Sequence, residues 1–574
     1  HGDTDMDSHL SLPVISHPRS RLDSIELFPF REGIKNGVAG IMTAHLSIPS
    51  LDSTMVPASL SKQIIKKLLI GEMGFKGFVV TDAMNMQGIA NQVKEGSAEV
   101  MALAAGNDML EFITDPAKSI IAIKKGIEEG LITVEDINMK CRKILMIKRW
   151  AGLNKFKPIQ TKNLYNDLNK SSYRMTLRNS IQKSLTVIQN KNGLIPLKKL
   201  DTLKIAAVGL GSERISTFQN SLERYMAVTY FNINKDSGEQ TIQKTLNQLK
   251  KFNLVIVGLN NLGVRASNKY SLSETQAELA KKIASQNKSI FVIFGNPYVL
   301  NYLDGIEKAN SIIVAYQESN ETLDLSGQLI FGAFGSEGRL PLNLRNFPKT
   351  KEPLKTASLD RFKYTLPEEV GIDSTYLKNQ IDSLINLGLK QKAFPGCQVF
   401  LAKNGKVFFN QCYGYHTYEA DRLVQPDDLY DFASLTKIMA PLPAVMKLYD
   451  EKKININKKL CDYWPDWKGS NKQSILLTDI LSHQARLEPW IPFWRQTVDK
   501  HGDFKPGYFS KDSSNVYSLH VSKNLFLINS YPDSVYASIR KSPLLKQKKY
   551  VYSDLGFIIF PRIIERVSKE NYEH

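Results

Sequence analysis

The chain has 574 residues, which is the length of about three or four domains of roughly 150 residues each. Its hydrophobic share of 42% and its charged share of 23% are those of ordinary globular proteins, which excludes a disordered chain, a collagen-like repeat and a coiled coil. The net charge of +18 is spread along lysine-rich helical faces without an arginine-dense arm, so we expect no nucleic-acid partner.

The sequence lacks the usual marks of a membrane, disulfide or metal protein. No apolar run approaches the roughly 18–20 residues of a membrane-spanning helix, so we expect no transmembrane segment. The four cysteines form no CxxC pair, so we expect no disulfide framework and no zinc ribbon. We assign no residue to a cofactor or to a metal. The chain begins at His1 without a charged and apolar leader, which predicts that the natural protein starts further upstream.

Residues 1–155 alternate short apolar runs with helical patterns. We expect strands within residues 37–46, 77–82 and 107–112, and helices within residues 59–73, 98–105, 116–129 and 134–151. Nearly continuous apolar strands that alternate with helices are typical of a parallel sheet covered by helices. The runs are too short to distinguish a closed barrel from an open sheet.

The remainder of the chain shows a second α/β pattern and then a mixed one. Buried strands are predicted at residues 203–208, 254–259, 289–294 and 311–316, with helices near 238–251 and 273–286. Residues 345–366 are rich in Lys and Pro and read as a connection between domains. Beyond them, a β-hairpin is predicted around an Asn404-Gly405 turn, and helical stretches begin near residues 434, 477 and 556.

Asp82 follows the apolar run at residues 78–80. The carboxyl end of a buried parallel strand is where α/β barrels place their catalytic groups, although a lone aspartate there is more often a helix N-cap. Asp7 and His9 lie in a loop rich in Gly, Asp and Ser, and a carboxylate beside an imidazole suits acid–base chemistry. The spacing of these two residues fits a metal site or a polar turn equally well.

Five short motifs carry a family resemblance in this region. They lie at residues 1–9 (HGDTDMDSH), 42–46 (MTAHL), 57–61 (PASLS), 74–86 (GFKGFVVTDAMNM) and 105–110 (AGNDML). In order and spacing they resemble glycoside hydrolase family 3, in its β-N-acetylglucosaminidase branch. The resemblance implies a partial (β/α)8 barrel over residues 1–155, holding about three of roughly eight strands. The family's upstream Lys-His-Phe-Pro-Gly stretch is missing, so this fragment is expected to be inactive as a glycosidase.

The resemblance also implies catalytic roles. Asp82 falls at the family's nucleophile, His9 at its mobile-loop general acid/base, and Asp7 at the carboxylate that pairs with this histidine. These roles imply a retaining double displacement, in which Asp82 attacks the anomeric carbon and His9 protonates the leaving oxygen.

The middle of the chain carries two further motifs of the same family. Residues 295–298 (GNPY) and 338–342 (GRLPL) resemble its second, α/β sandwich domain, which implies such a domain over residues 156–348. Residues 209–211 (GLG) lack the later glycine of a dinucleotide-binding turn, so no nucleotide site is expected. We assign no catalytic residue here, and residues 349–366 are taken as a linker.

Ser434 and Lys437 are three residues apart at the predicted start of a helix, so their side chains share one face. A lysine within reach of a serine hydroxyl can take its proton, and the amino end of the helix is expected to lower the pKa of this lysine. An S-x-x-K pattern alone recurs by chance in many proteins. A tyrosine that can relay the proton, Tyr552, follows in the segment 552–556 (YSDLG).

These segments, together with residues 430–433 (YDFA), the predicted hairpin and residues 480–483 (ILSH), resemble the serine β-lactamase and penicillin-binding-protein superfamily, with the esterase-like class C branch as the nearest. The resemblance implies a partial α+β domain over residues 367–574, with Ser434 as nucleophile, Lys437 as base and Tyr552 as proton relay.

Two features depart from this pattern, and two prolines affect the predicted helix. Asp554 stands where the family usually has Asn. The chain ends before the family's Lys-Thr-Gly or His-x-Gly strand, which supplies part of the oxyanion hole. Pro441 and Pro443 should kink the helix after Lys437 or end it early.

The sequence therefore predicts an α/β multidomain protein that looks truncated at both ends. We expect a retaining exo-β-N-acetylglucosaminidase that removes terminal GlcNAc from cell-wall muropeptides in the periplasm or cell envelope, with an appended serine hydrolase. Three alternatives stay open. The protein could be another family 3 β-glycosidase such as a β-glucosidase, or a phosphorylase with phosphate as acceptor. The C-terminal region could also be a non-catalytic cell-wall binding module.

Overall fold

A computed structural model of the chain describes residues 2–4, 6–9, 11–90, 93, 96–348 and 350–572, so His1 of the first motif lies outside the described residues. The chain divides into two compact units, residues 1–170 and residues 171–574. None of the helices in the described part of the chain combines the length and the apolarity that a bilayer span requires.

The first unit contains a three-stranded parallel sheet in the order β1-β2-β3. Its strands are β1 (Gly40–Thr43), β2 (Phe78–Ala83) and β3 (Met109–Glu111). Its helices are α1 (Arg19–Ser24), α2 (Phe28–Lys35), a π-helix (Gln63–Glu72), α3 (Gln87–Ala90), α4 (Ser97–Ala105), α5 (Pro116–Glu128), α6 (Val134–Trp150) and α7 (Leu164–Leu168). The predicted alternation of parallel strands with helices is confirmed.

Apolar side chains of the helices cover one face of this sheet. Val79 of β2 packs in a cluster with Ile41, Ile65, Phe75 and Ala105, and Val79 itself is completely buried. Burial of one such aliphatic side chain stabilises a fold by about 1.5–3 kcal/mol. This cluster therefore fixes the strand whose carboxyl end carries the predicted nucleophile.

The second unit begins with a six-stranded sheet in the order β4-β9-β8-β7-β5-β6. Its strands are β4 (Thr186–Asn190), β5 (Ile205–Leu210), β6 (Val228–Ile233), β7 (Leu254–Leu259), β8 (Ser289–Ile293) and β9 (Ser311–Val314). Only β4 runs antiparallel to its neighbour in this sheet. The helices of this region are α8 (Ser171–Ser184), α9 (Thr217–Glu223), α10 (Glu239–Leu249), α11 (Glu274–Gln286) and α12 (Asn320–Ile330).

Helices cover both faces of this sheet. Leu246 of α10 and Ile283 of α11 pack into the core on one face, and Leu222 of α9 and Leu329 of α12 pack into the core on the other. The strands between the two layers are almost completely buried, which is why β5 and β7 consist of unbroken apolar or small residues. The predicted α/β sandwich is confirmed.

The rest of the second unit combines a hairpin, a helical cluster and a small sheet. Its strands are β10 (Lys363–Tyr364), β11 (Gly396–Lys403), β12 (Lys406–Gly414), β13 (Phe509–Ser510), β14 (Leu519–Ser522) and β15 (Leu525–Leu527). Its helices are α13 (Ser374–Lys390), α14 (Thr436–Met439), α15 (Pro441–Asp450), α16 (Leu460–Tyr463), α17 (Leu477–Leu481), α18 (Tyr531–Lys541) and α19 (Leu555–Ser568).

Local sequence chemistry explains two of these elements. Asn404 and Gly405 both adopt positive φ angles, 52° and 72°, as the tight turn between β11 and β12 requires. Helix α14 ends at Met439, because Pro441 cannot continue it, and α15 begins at that proline. The predicted early end of the helix is confirmed, whereas Pro443 lies inside the first turn of α15, where proline is tolerated.

The segment 349–366, which the sequence suggests is a linker, supplies the strand β10. This strand pairs in parallel with β12 of the hairpin. On its other side, the amide of Tyr364 donates to Gln328 Oε1 at 2.9 Å, and Arg178 Nη2 donates to the carbonyl of Tyr364 at 3.0 Å. The segment is therefore hydrogen-bonded to both the sandwich and the hairpin.

Candidate active sites

Asp82 lies near the carboxyl end of β2 and is half-buried. Its Oδ1 accepts a hydrogen bond from the amide of Ala83 at 2.8 Å. Helix α3 begins only at Gln87, so Asp82 is not its N-cap. The carboxylate is thus positioned by the strand end, as a group that acts on a ligand in a barrel would be.

Asp7 and His9 form the predicted pair. His9 Nδ1 lies 2.8 Å from Asp7 Oδ1, and the His9 amide donates to the same oxygen at 2.9 Å. These two hydrogen bonds, from the backbone first and then from the ring, lower the pKa of Asp7. The charged carboxylate therefore holds Nδ1 as the protonated nitrogen and leaves Nε2 to exchange a proton with a ligand.

The loop that carries this pair lies against the segment that follows Asp82. Ser8 is buried between Asp7 and His9, and its carbonyl accepts from the amide of Gly88 at 3.2 Å. A Cβ atom on Gly88 would lie 3.1 Å from that carbonyl. The close approach of the two backbones therefore depends on a glycine at this position.

His45 is a further residue of this site, and it belongs to the motif at residues 42–46, whose pattern alone indicates no role for it. It is completely buried, with Nε2 3.0 Å from the carbonyl of Ala83 and Nδ1 2.7 Å from Ser59 Oγ. Burial lowers the pKa of His45. A neutral ring that donates through Nε2 and accepts through Nδ1 satisfies both contacts and fixes the backbone beside Asp82.

The Asn107 side chain connects the strand ends near this site through hydrogen bonds. Its side chain is completely buried, accepts from Thr43 Oγ1 at 2.8 Å and donates to the carbonyls of Ser59 and Ala102, both at 2.8 Å. These contacts connect β1, α4 and the segment after β1. The motif at residues 105–110 thus has a structural basis in this network.

Ser434, Lys437 and Tyr552 come together in the second unit, as the sequence predicts. Lys437 Nζ donates to Ser434 Oγ at 2.9 Å and lies 5.0 Å from the ring centroid of Tyr552. Asp554 joins them, because its Oδ1 lies 2.7 Å from Lys437 Nζ. The residue that departs from the family pattern is therefore in direct contact with the predicted base.

The electrostatics of this cluster differ from the prediction for the lysine. Burial disfavours the charge of Lys437, but hydrogen bonds with Asp554 and Tyr552 outweigh burial and raise its pKa. The predicted lowering by the helix amino end is wrong, since α14 is only four residues long and a carboxylate stands beside the ammonium. Hydrogen bonds with Ser434 and then Lys437 lower the pKa of Tyr552.

His483 packs against Tyr552 and accepts hydrogen bonds from the segment 551–553. Its Nδ1 accepts from the amide of Ser553 at 3.1 Å, and its carbonyl accepts from the amide of Val551 at 2.9 Å. Its ring centroid lies 4.5 Å from that of Tyr552. Burial and the nearby charge of Lys437 lower the pKa of His483. The neutral ring thus serves to position residues 551–553.

Within the residues that the structure describes, no three His, Cys, Asp or Glu side chains converge in a way that could hold a metal ion.

Three family descriptions match the chain. "Glycosyl hydrolase family 3 N terminal domain" matches residues 1–147, and "Glycosyl hydrolase family 3 C-terminal domain" matches residues 185–376. "Beta-lactamase" matches residues 381–574. These ranges contain all six predicted catalytic residues.

Similar proteins include several glycosidases. A "Beta-hexosaminidase A" of Pseudoalteromonas piscicida is 40% identical over 120 residues, which are 19% of this chain and 20% of that protein. A "Beta-N-acetylglucosaminidase/beta-glucosidase" of Cellulomonas fimi is 23% identical over 56% of this chain and 61% of that protein. A solved glycoside hydrolase family 3 beta-N-acetylglucosaminidase from Paenibacillus sp. str. FPU-7 is 25% identical, with a TM-score of 0.50 over 61% of this chain and 66% of that one. The chain thus spans less than two thirds of both curated relatives.

Proposed function

Because the chain belongs to glycosyl hydrolase family 3 over residues 1–147 and 185–376 and to the beta-lactamase family over residues 381–574, we propose that the protein is a retaining exo-β-N-acetylglucosaminidase with an appended serine hydrolase domain. The observation that carries the first activity is the Asp7–His9 pair, whose loop is held against the segment after Asp82. The hexosaminidase name of a relative that is 40% identical over 120 residues supports the choice of sugar.

The proposed reaction has two steps. In the first, an Asp82 carboxylate oxygen bonds to the anomeric carbon while His9 Nε2 gives its proton to the leaving glycosidic oxygen. In the second, His9 Nε2 takes a proton from water as the water oxygen replaces Asp82 on the anomeric carbon. Asp7 holds Nδ1 protonated in both steps, so Nε2 is the nitrogen that gives and then takes the proton.

We propose terminal β-linked GlcNAc of cell-wall muropeptides as the substrate, and the periplasm or cell envelope as the place of action. The support is the pairing of two regions in one chain. Residues 381–574 match the "Beta-lactamase" family, and curated proteins similar to this chain are named beta-hexosaminidases. A glycosidase for GlcNAc and an enzyme for peptides or esters would both suit cell-wall turnover.

Release of nitrophenol from 4-nitrophenyl N-acetyl-β-glucosaminide by the natural protein that carries this sequence tests the first activity. We expect Asp82→Asn to abolish turnover and His9→Ala to lower kcat/KM by about 100-fold or more, the usual contribution of a general acid. Asp115→Asn, which changes a helix-capping carboxylate, is the matched control and should retain activity. Full activity of the Asp82→Asn variant would contradict the proposed nucleophile.

The same assay distinguishes the alternatives. Faster hydrolysis of 4-nitrophenyl glucoside than of the N-acetylglucosaminide would identify another β-glycosidase. Formation of a sugar 1-phosphate only when phosphate is added would identify a phosphorylase.

The second activity rests on the contact between Lys437 Nζ and Ser434 Oγ at 2.9 Å, with Tyr552 beside them. Ser434 would attack an acyl carbon, with Lys437 and Tyr552 as the groups that move its proton. We expect a fluorophosphonate probe to label the natural protein that carries this sequence at Ser434, and not its Ser434→Ala variant. Absence of labelling beside intact glycosidase activity would favour a non-catalytic binding module.

A further inference from the structure

Lys472 is a lysine whose side chain is completely buried in the helical cluster of the second unit. Its Nζ donates to Asn471 Oδ1 at 2.9 Å, to the carbonyl of Arg540 at 3.3 Å and to the carbonyl of Ser542 at 2.5 Å. All three acceptors are uncharged oxygens, although a lysine is almost never fully buried unless it is paired. Within the described residues, the hydrogen bonds of Lys472 thus supply polar partners but no opposite charge.

These contacts close the carboxyl end of α18. Arg540 lies in the last turn of this helix, and Ser542 follows it as the C-cap. The last carbonyls of a helix have no partner within it and carry partial negative charge, so a cation and amide donors are favoured there. Asn471 adds a second donor, since its Nδ2 donates to the Ser542 carbonyl at 3.0 Å. We call the contacts of Asn471 and Lys472 with Arg540 and Ser542 the α18 clamp.

The α18 clamp lies where the chain enters the segment that leads to Tyr552. Beyond Ser542, the amide of Leu545 donates to the carbonyl of Arg486 at 2.8 Å, and Arg486 Nε donates to the carbonyl of Leu545. The clamp is thus the first of several contacts that fix this segment.

We infer that the α18 clamp is proton-coupled, so that Lys472 holds the carboxyl end of α18 more tightly at alkaline pH than at neutral pH. This inference goes beyond both proposed activities and does not depend on either. Enclosure by protein disfavours the charged form of an amine, whereas water stabilises it. Opening of the clamp therefore exposes a group that binds a proton more strongly than it does in the closed state.

The charges around Lys472 agree with this assignment. Burial lowers the pKa of Lys472 from 10.5 to about 8, and the carboxylate of Glu488 opposes this shift only in part. The Arg540 guanidinium donates to the carbonyl of Lys468 at 3.3 Å, and the Lys468 side chain is exposed. The other charged side chains of the adjoining elements make contacts elsewhere or are exposed, namely Asp466 with Trp464, Asp533 with Arg562, and Lys541.

The direction of the pH dependence follows from proton binding. Between pH 8 and pH 10.5, the open state binds a proton that the closed state has released. Opening then takes up a proton, so it becomes less favourable as the pH rises. The neutral amine keeps two N–H donors, which can still satisfy two of its three acceptors.

Urea unfolding of the full chain at pH 7 and pH 9, followed by tryptophan fluorescence, tests the inference. Four of the five tryptophans lie within residues 464–494, so the signal reports on the region that contains Lys472. We expect the unfolding equilibrium constant of the wild type to fall by about 10-fold relative to that of Lys472→Met over this range, because only the wild type has the buried amine. Lys468→Met, at an exposed lysine of the same segment, is the matched control and should follow the wild type. A ratio of wild type to Lys472→Met that stays constant with pH would overturn the inference.

Hydrogen exchange of the wild type decides the question if Lys472→Met does not fold. Mass spectrometry of peptides from residues 536–542, with each rate divided by the intrinsic exchange rate at that pH, gives the opening equilibrium of the helix end. We expect this normalised rate to fall by about 10-fold from pH 7 to pH 9, while that of α10 in the sandwich stays the same. An unchanged or rising normalised rate in residues 536–542 would equally contradict the proton-coupled clamp.

Discussion

Gly88 allows the loop that carries Asp7 and His9 to approach the segment after Asp82. A Cβ atom here would lie 3.1 Å from the carbonyl of Ser8 and 3.4 Å from Cβ of His45, so the loop would have to move by a few tenths of an ångström. Such a displacement would move His9, the proposed general acid. Misplacement of a catalytic group by about 1 Å can lower the rate by about 100-fold.

In the natural protein that carries this sequence, we expect Gly88→Ala to lower kcat/KM for the nitrophenyl N-acetylglucosaminide by about 10-fold while the protein stays folded. Gly33→Ala is the matched control, because that glycine lies inside α2 and the nearest atom to its Cβ would be 3.8 Å away. Steady-state kinetics and thermal unfolding of the two variants provide the measurements. Equal kinetics in both would show that the loop does not depend on this contact.

Residue types and spacing suggest the pairs that act over short distances, and the family resemblance supplies the reason to assign them catalytic roles. Asp7 and His9, two residues apart, and Ser434 and Lys437, three apart on one helical turn, do form hydrogen bonds. The contact of Lys437 with Asp554 joins residues far apart in the chain, so the local pattern could not reveal it. The expectation that the pKa of Lys437 is lowered was wrong because it did not take this contact into account.

At the level of elements, Asn107 connects the strand ends near the first site. Its amide satisfies two carbonyls and one hydroxyl in a place closed to water. We expect Asn107→Ala to lower the free energy of unfolding by about 1–3 kcal/mol, since these groups would lose their partners while buried. Urea unfolding measures this difference, and Asn169→Ala, at an exposed amide bonded to Tyr165, is the control. A loss no larger than that of the control would contradict the structural role of the network.

The sequence predicts the central strands of the six-stranded sheet but not the two strands at its edges. β7 and β8 are apolar runs because both of their faces are covered, and both were predicted within one residue. β4 and β6 lie at the two edges of the sheet, and β6 is only partly buried along most of its length. Their mixed polar and apolar residues gave no continuous run, so neither strand was predicted.

At the level of the second unit, β10 connects the sandwich to the hairpin. We call this strand, together with the contacts of Glu369 to Lys363, Thr365 and Lys406, the joint. Lys363 precedes Tyr364 in this strand, and its Nζ lies 2.9 Å from Glu369 Oε1. Lys406 of β12 contacts the same oxygen at 2.9 Å, and Thr365 donates to the other oxygen of Glu369. A lysine- and proline-rich segment thus becomes ordered through charge pairing that its composition does not reveal.

Glu369 makes this joint sensitive to acid. Burial disfavours its charge, but hydrogen bonds from Thr365, Lys363 and Lys406 outweigh burial and lower its pKa from 4.5 to about 2. Because the folded value lies below the unfolded one, the stabilisation is complete above about pH 4.5 and is lost as the pH falls toward 2. A shift of this size corresponds to about 3 kcal/mol.

We therefore expect Glu369→Gln to destabilise the second unit at pH 7 and to do so much less at pH 3. The difference in free energy of unfolding between wild type and variant should shrink by about 2 kcal/mol over that range, because only the wild type has a carboxylate to protonate. Urea unfolding at the two pH values measures it, with Glu352→Gln, at an exposed position of the same segment, as the control. A difference that stays constant with pH would mean that the charge of Glu369 does not hold the joint together.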